Sequence, residues 1–224
     1  NNAVPFYDKV VVILGESANK HHMSLYGYPI VSDPFLSILN KNKQLYVFNA
    51  IAPTNQTRYS VPIVLTKANV HNYPDRFIHS SSILSDFKMK GYKTYWLSNQ
   101  GRAGEHDLTV ASMADEANIS FFANMNWDEA KTDNIIVNKI INLSMRPKKE
   151  MFLLHLMGSH ADYENRYEIK NALYTIILRD SLVKVRFLLD YLFSSAICFN
   201  SLRNKSKASL PSSVERDCLI IVCK

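Results

Sequence analysis

Four polar side chains stand at positions where chemistry is expected if this chain folds around a parallel sheet: Glu16, Thr57, Asn99 and His160. Each follows an extended or apolar run, and the carboxyl ends of parallel strands meet at one sheet edge, where ligands collect. A carboxylate at such an edge is a candidate metal ligand. Each residue alone also has an ordinary interpretation as a cap, a turn former or a hydrogen-bonded loop residue. Only their common position indicates a site.

The elements that would position these side chains alternate between strands and helices. Apolar runs predict strands at 10–14, 46–51, 92–97 and 151–157, and helices are predicted from Val61 with Ser60 as cap, and at 81–90, 134–145 and 172–193. Runs that are apolar on both faces are typical of central strands in covered parallel sheets. The pattern predicts an α/β three-layer sandwich with a mostly parallel central sheet and helices on both faces.

Composition indicates one globular domain. The chain has 224 residues, 47% of them hydrophobic and 21% charged, and a formal net charge of +6. The basic residues are scattered, which favours a solvated basic surface and no nucleic-acid partner, while attraction to an anionic membrane or substrate stays open. Because no apolar run approaches about 20 residues and the first residues lack a signal-peptide pattern, we expect the chain as given to be soluble.

The last residues differ in character from the rest. All three cysteines, Cys198, Cys218 and Cys223, lie there, so no disulfide framework or cysteine zinc site supports the body of the chain. We predict a domain at 1–196 and an atypical tail at 197–224 that is frame-shifted or disordered.

Ordered sequence blocks then give a resemblance. The blocks are VILGES at 12–17 with HMSLYGYP at 22–29, QTRYSVP at 56–62, WLSNQ at 96–100, HLMGSH at 155–160 with NRY at 165–167, and NALYT at 171–175. Over about residues 8 to 190 the chain resembles the catalytic domain of phosphoethanolamine transferases, which are sulfatase-like members of the alkaline phosphatase superfamily.

The resemblance implies a zinc-dependent, two-step transfer from phosphatidylethanolamine to a lipopolysaccharide core sugar, lipid A or a periplasmic glycan. Thr57 matches the nucleophile and, with Glu16, the metal ligands. His160, Asn99 and Gln100 match substrate-binding positions. Family members have a bundle of membrane helices that holds the domain at the periplasmic face of the bacterial inner membrane, so the resemblance also implies a membrane surface as partner.

Two departures keep alternatives open. Pro53 and Ile63 stand where lipid A-modifying members have cysteines, which favours the branch that modifies core sugars or other acceptors. The family's Asp-His-Gly-Glu block, which completes the zinc site, has no counterpart, because the chain contains no Asp-His dipeptide. The alternatives are an inactive remnant or binding module of the same fold, and a hydrolase of the sulfatase or phosphodiesterase type.

Overall fold

The computed structural model describes residues 7–104, 107–125, 132–143, 149–160, 166, 174–178, 181–185 and 217–222. The chain divides into two compact units. The first unit comprises residues 1–16, 51–157 and 215–224, and the second comprises residues 17–50 and 158–214. Residues 171–173 of the predicted block at 171–175 and most of the predicted tail lie outside the described residues.

A parallel sheet is the centre of the first unit. Its strands are β1 (Lys9–Leu14), β2 (Lys93–Ser98), β3 (Ile119–Phe122), β4 (Glu150–His155) and β7 (Asp217–Val222). They lie in the order β3-β2-β4-β1-β7, and every neighbouring pair is parallel. The predicted α/β architecture with a parallel sheet is therefore confirmed.

Helices in the first unit are short. They are α2 (Thr57–Leu65), α3 (Asp75–Ile78), α4 (Ile83–Met89), α5 (Leu108–Ala114) and α6 (Asn134–Leu143). The start and end of α4 follow from sequence: the Ser82 side chain accepts a hydrogen bond from the Ser85 amide, and Gly91 adopts a φ of 81° after the last turn.

Alternate positions of the strands face opposite sides of the sheet, and both sides are buried. On one side, Val12, Leu153 and Trp96 form a continuous core with residues of α2, α4 and α5. On the other side, the rings of Tyr95 and Phe152 stack with centroids 4.5 Å apart. Helix α6 contacts β2, and its buried residues do not belong to the first core, which places it on this second side. Covering both sides explains the continuous apolar runs of the central strands.

The second unit has its own elements. It contains 3₁₀ turns at Lys20–His22 and Ser24–Tyr26, helix α1 (Pro34–Lys41), and an antiparallel pair of strands, β5 (Tyr174–Leu178) and β6 (Ser181–Val185). The strand pair corrects the predicted helix at 172–193. Residues 174–178 and 181–185 are rich in β-branched and other apolar residues, and cross-strand pairing prevails over helical spacing there.

Two further predictions are wrong in detail. Residues 46–51 form no strand, and their aromatic side chains are largely exposed. An apolar run becomes a strand only where a neighbouring strand completes its backbone hydrogen bonds. Helix α2 begins at Thr57 rather than after Ser60, so Ser60 lies within it, and its amide donates to the Gln56 carbonyl over 2.9 Å.

Candidate active site

Glu16 and Thr57 are in direct contact at the carboxyl edge of the sheet. Glu16 lies two residues beyond the end of β1 and is 5% exposed. Thr57 is the first residue of α2, and its hydroxyl donates a hydrogen bond to Glu16 Oε2 over 2.8 Å. The structure thus brings together the two residues predicted as nucleophile and metal ligand.

The backbone around this pair is specialised. Ser17, directly after Glu16, has a φ of 55°, a left-handed conformation that non-glycine residues rarely adopt. Gln56, directly before Thr57, is extended and ends the loop that leads into the helix. Residues held in such sparsely populated conformations cluster at functional sites, because the surrounding structure must stabilise them.

The chemistry available to this pair is that of an activated hydroxyl. A carboxylate that accepts the hydrogen bond of a hydroxyl orients its oxygen and can take its proton as the oxygen attacks an electrophile. Thr57 also stands at the amino end of a nine-residue helix, whose partial positive charge favours a nearby anion such as a phosphoryl group. The arrangement suits nucleophilic attack on phosphorus.

Asn99 and Gln100 lie at the end of β2, and both are buried. The Asn99 amide donates to Asp133 Oδ1 over 2.8 Å, and the Gln100 amide donates to the Leu156 carbonyl over 2.6 Å. Asn124 in turn donates to the Asn99 carbonyl over 2.6 Å. Both predicted substrate-binding amides therefore make internal hydrogen bonds, and their contact with substrate stays a prediction.

Asp133 is a buried residue of this region that sequence reasoning missed. Its Oδ1 accepts hydrogen bonds from the Asn99 amide and, over 2.9 Å, from the backbone amide of Met157. Its carbonyl accepts from the amide of Ile136 in the first turn of α6. The available signal was an Asp directly before the predicted helix at 134, a position that favours a cap.

His160 belongs to the second unit, and its side chain is half-buried. It follows β4 by five residues, and Gly158 between them has a φ of 54°. The histidine at the other end of the same block, His155, is buried and meets the Trp96 ring edge-on with centroids 5.9 Å apart. The phosphoryl-contacting role predicted for His160 stays a prediction.

The described residues do not complete a zinc site. Glu16 and Thr57 offer two oxygen ligands, whereas zinc in proteins almost always takes four ligands in structural sites and three protein ligands in catalytic ones. Within the described ranges, no cluster of three or more His, Cys, Asp or Glu side chains could hold a metal ion. The donor set found here therefore does not fit zinc by itself.

The geometry of a parallel sheet with a threonine and a carboxylate at its edge agrees with the family comparison. A sulfatase family model matches residues 8–185, and the chain belongs to that family. The predicted resemblance to a sulfatase-like family is confirmed.

Two curated relatives of the chain are named as phosphoethanolamine transferases. Phosphoethanolamine transferase EptC of Escherichia coli strain K12 is 30% identical over 187 residues, which cover 75% of this chain and 32% of the relative. Phosphoethanolamine transferase CptA of Salmonella typhimurium strain LT2 is 29% identical over 165 residues, covering 70% of this chain and 28% of the relative. The chain thus spans about a third of the length of these curated relatives.

Solved structures agree on the fold. The C-terminal periplasmic domain of EptC from Escherichia coli, in complex with zinc, superposes with a TM-score of 0.71 at 24% identity, over 97% of this chain and 63% of that domain. A second structure of the same domain gives a TM-score of 0.70 at 25% identity over the same shares.

In the described part of this chain, none of the helices has the length and apolar character that a membrane span requires.

Proposed function

We propose that this chain contributes the nucleophile of a phosphoethanolamine transferase and that Thr57 is that nucleophile. The reaction would move phosphoethanolamine from phosphatidylethanolamine to lipopolysaccharide, on a core sugar or lipid A, or to a related periplasmic glycan. The observation that carries the proposal is the 2.8 Å hydrogen bond from the Thr57 hydroxyl to Glu16. The named activity of the curated relatives supports the same class of reaction.

In the first step, Thr57 Oγ1 attacks the phosphorus of the lipid donor while Glu16 accepts the hydroxyl proton. The bond between phosphorus and the diacylglycerol oxygen breaks, and diacylglycerol leaves as an alcohol after that oxygen takes up a proton. In the second step, an acceptor hydroxyl attacks the phosphorus of the threonine adduct. The Thr57 oxygen leaves and recovers a proton, so each cycle conserves protons and returns the enzyme unchanged.

If zinc binds this chain, it would bind at Glu16 and Thr57. Glu16 and Thr57 would be two oxygen ligands, and the described residues supply no third. A bound zinc ion would neutralise charge on the phosphoryl group. No step above depends on it.

The remaining parts of the proposal follow from the family. His160 would contact the phosphoryl group, and Asn99 with Gln100 would donate to its oxygens or hold the loop that does so. Residues 1–196 would be the catalytic region, and the atypical tail at 197–224 would add strand β7 to its sheet. The domain would act at the periplasmic face of a bacterial inner membrane, which is supported by the periplasmic domains among its structural neighbours.

The test is to look for the threonine adduct directly. The purified chain is incubated with phosphatidylethanolamine in mixed micelles, with and without added zinc, and the intact mass and a peptide map are recorded. We expect a phosphoethanolamine adduct on the peptide that contains Thr57. Thr57→Ala should lose it, while the control Thr66→Ala, at the other end of α2, should keep it.

Other outcomes would contradict the proposal. An adduct that survives Thr57→Ala would place the nucleophile elsewhere. In a second incubation with an added glycan acceptor, release of free phosphoethanolamine without transfer to that acceptor would favour the hydrolase alternative. A chain that binds the lipid but forms no adduct with zinc present would favour a binding module.

A further inference from the structure

We propose that Arg58 contacts the phosphoryl group that Thr57 attacks, and that Gln56 and the Tyr59 ring hold its guanidinium for this contact. Arg58 directly follows Thr57 and is the second residue of α2. The inference rests on the proposed function, because it assigns one more residue to the same reaction.

The charge of Arg58 is placed where the helix alone does not favour it. Arg58 is the only charged residue between positions 51 and 66. It lies in the first turn of α2, and that turn contains no acidic residue. Since the amino end of a helix carries partial positive charge, cations are favoured at the opposite end. Placements that break such a local rule are expected at functional sites, and a bound anion would make this one favourable.

A hydrogen bond draws the guanidinium toward the amino end of α2. Arg58 Nε donates to Gln56 Oε1 over 2.9 Å, and Gln56 is the cap residue directly before Thr57. The charged group therefore lies beside the residue that precedes the nucleophile, rather than farther along the helix. Because Nε makes this bond, the two Nη nitrogens form the outer end of the guanidinium fork.

A row of aromatic rings supports the same guanidinium. Its central carbon lies 4.7 Å from the centroid of the Tyr59 ring. That ring meets Tyr73 edge-on at 5.8 Å, and the Tyr73 ring lies 5.7 Å from that of Phe77 in α3. An arginine held by a ring and by a hydrogen bond loses less freedom when it binds a ligand, so more of the contact energy appears as affinity.

The transfer requires positive charge at this end of the helix. Glu16 accepts the Thr57 hydrogen bond, and the phosphodiester of the donor is also anionic, so attack brings two negative charges together. A guanidinium can pair with two phosphate oxygens through parallel N–H···O bonds, which offsets this repulsion and orients the phosphorus toward the attacking oxygen. Arg58 keeps its protons throughout, so the proton balance of both steps is unchanged.

The first experiment measures binding in the absence of transfer. The full chain with Thr57→Ala is titrated with glycerophosphoethanolamine, the water-soluble head group of the donor, by isothermal titration calorimetry. We expect Arg58→Gln in this background to weaken binding by about ten- to hundredfold, the range for a hydrogen bond to a charged group. Arg58→Lys keeps the charge but not the fork, and its affinity should lie between the two.

Two further variants separate contact from structure. Gln56→Ala should weaken binding less than Arg58→Gln does, and it should have no additional effect in a chain that already carries Arg58→Gln, because Gln56 acts through Arg58. The matched control is Lys93→Gln, which removes another cation held over a ring, 5.4 Å from the Tyr95 centroid. Lys93 is the first residue of β2 and so lies at the sheet edge opposite the carboxyl edge. This control should leave the affinity unchanged.

The second experiment is the adduct assay on chains that keep Thr57. Arg58→Gln should slow the appearance of the Thr57 adduct at least about tenfold. If the unmodified chain forms the adduct and Arg58→Gln forms it equally fast, the role of Arg58 is wrong while the proposed function stands. If no chain forms the adduct, the proposed function is wrong, and the titration still decides whether Arg58 contacts a phosphate.

Three results of the titration would overturn the inference. The first is no binding of glycerophosphoethanolamine by the Thr57→Ala chain. The second is equal affinity with and without Arg58→Gln. The third is a loss that Lys93→Gln reproduces, or one that accompanies a comparable fall in the free energy of unfolding, because Arg58 would then act through the stability of the fold.

Discussion

The Thr57 hydroxyl and the Glu16 carboxylate, 41 positions apart in the chain, are joined by a 2.8 Å hydrogen bond. The bond links the first turn of α2 to the loop after β1, so it helps to orient both the threonine hydroxyl and the carboxylate. Hydrogen bonds to an ionised acceptor are roughly twice as strong as neutral ones. The contact is therefore suited to hold the threonine oxygen ready for attack.

Glu16→Gln separates the charge of Glu16 from its shape. The amide oxygen can still accept the Thr57 hydrogen bond, so we expect the free energy of unfolding to change by no more than about 1 kcal/mol. Loss of the proton acceptor should slow adduct formation on Thr57 by about 10²- to 10⁴-fold. The measurement is the time course of the adduct by intact mass.

The matched control for this variant is Glu116→Gln. Glu116 is a carboxylate that also accepts a serine hydroxyl, from Ser85 over 2.7 Å, but it belongs to the cap of α4. The Glu116→Gln variant should form the Thr57 adduct at the rate of the unmodified chain. If Glu16→Gln did so too, Glu16 would not be the proton acceptor.

Asp133 is expected to be a stabilising residue of the sheet edge. Asp133→Ala leaves the Asn99 amide and the Met157 amide without their buried acceptor, and each unsatisfied donor costs about 1–3 kcal/mol. We expect the free energy of unfolding in urea to fall by about 2–4 kcal/mol, and by less for Asp133→Asn, which keeps an oxygen.

Asp115→Ala is the control for Asp133→Ala. Asp115 pairs with Arg102 over 2.9 Å, but its side chain is 55% exposed. Exposed pairs contribute at most about 1 kcal/mol, so the loss should be small. Equal losses for the two alanine variants would contradict the structural role given to Asp133.

The sequence was most informative where burial on both faces leaves a strong signal. The runs around Val12, Trp96 and Leu153 predicted three central strands, because a strand covered on both sides must be apolar at every position. The same composition misled at Tyr46 and Phe48, where apolar side chains are exposed and no strand forms. Hydrophobicity alone does not tell whether a neighbouring strand is available.

The site was predictable in part for the same reason. Glu16 and Thr57 were found from their places after extended segments and from the family resemblance, and the structure joins them. Asp133 was missed because its partners, Asn99 and Met157, are 34 and 24 positions away along the chain. Local patterns carry no information about such pairs, and a buried carboxylate looks like any helix cap in the sequence.

Tyr92 should make stability fall at high pH. Burial, and secondly the charge of Asp8, raise the pKa of Tyr92 above 10.0, and its hydroxyl donates to the Tyr7 carbonyl. Because the folded state holds this proton more tightly than the unfolded state, the contribution is complete below pH 10 and is lost as pH rises through the raised pKa. Tyr92→Phe should lower the free energy of unfolding by about 1 kcal/mol at pH 8. Above pH 10 the difference in unfolding free energy between this variant and the unmodified chain should become smaller.

The measurement for Tyr92 is the difference in unfolding free energy between the unmodified chain and Tyr92→Phe at several pH values from neutral upward. Asp8→Asn serves as a second variant, since it removes the smaller cause of the raised pKa and should shrink the pH-dependent part. A difference that stays constant across pH 10 would contradict the role of the Tyr92 proton.

Strand β7 gives the last prediction, because it lies in the predicted tail at 197–224. The six residues Asp217–Val222 pair in parallel with Lys9–Leu14 of β1, the strand that leads to Glu16. Proline lacks the backbone N–H that a strand residue donates. Alternate residues of a strand direct this N–H toward a given neighbour, so of two consecutive residues one faces β1. Leu219→Pro with Ile220→Pro therefore removes a hydrogen bond to β1 in either case. We expect a loss of about 3 kcal/mol or more in urea unfolding, with slower adduct formation at Thr57. The control Leu219→Val with Ile220→Val keeps every N–H and should unfold within about 1.5 kcal/mol of the unmodified chain. Equal stability of the proline and valine pairs would mean that these residues do not pair with β1.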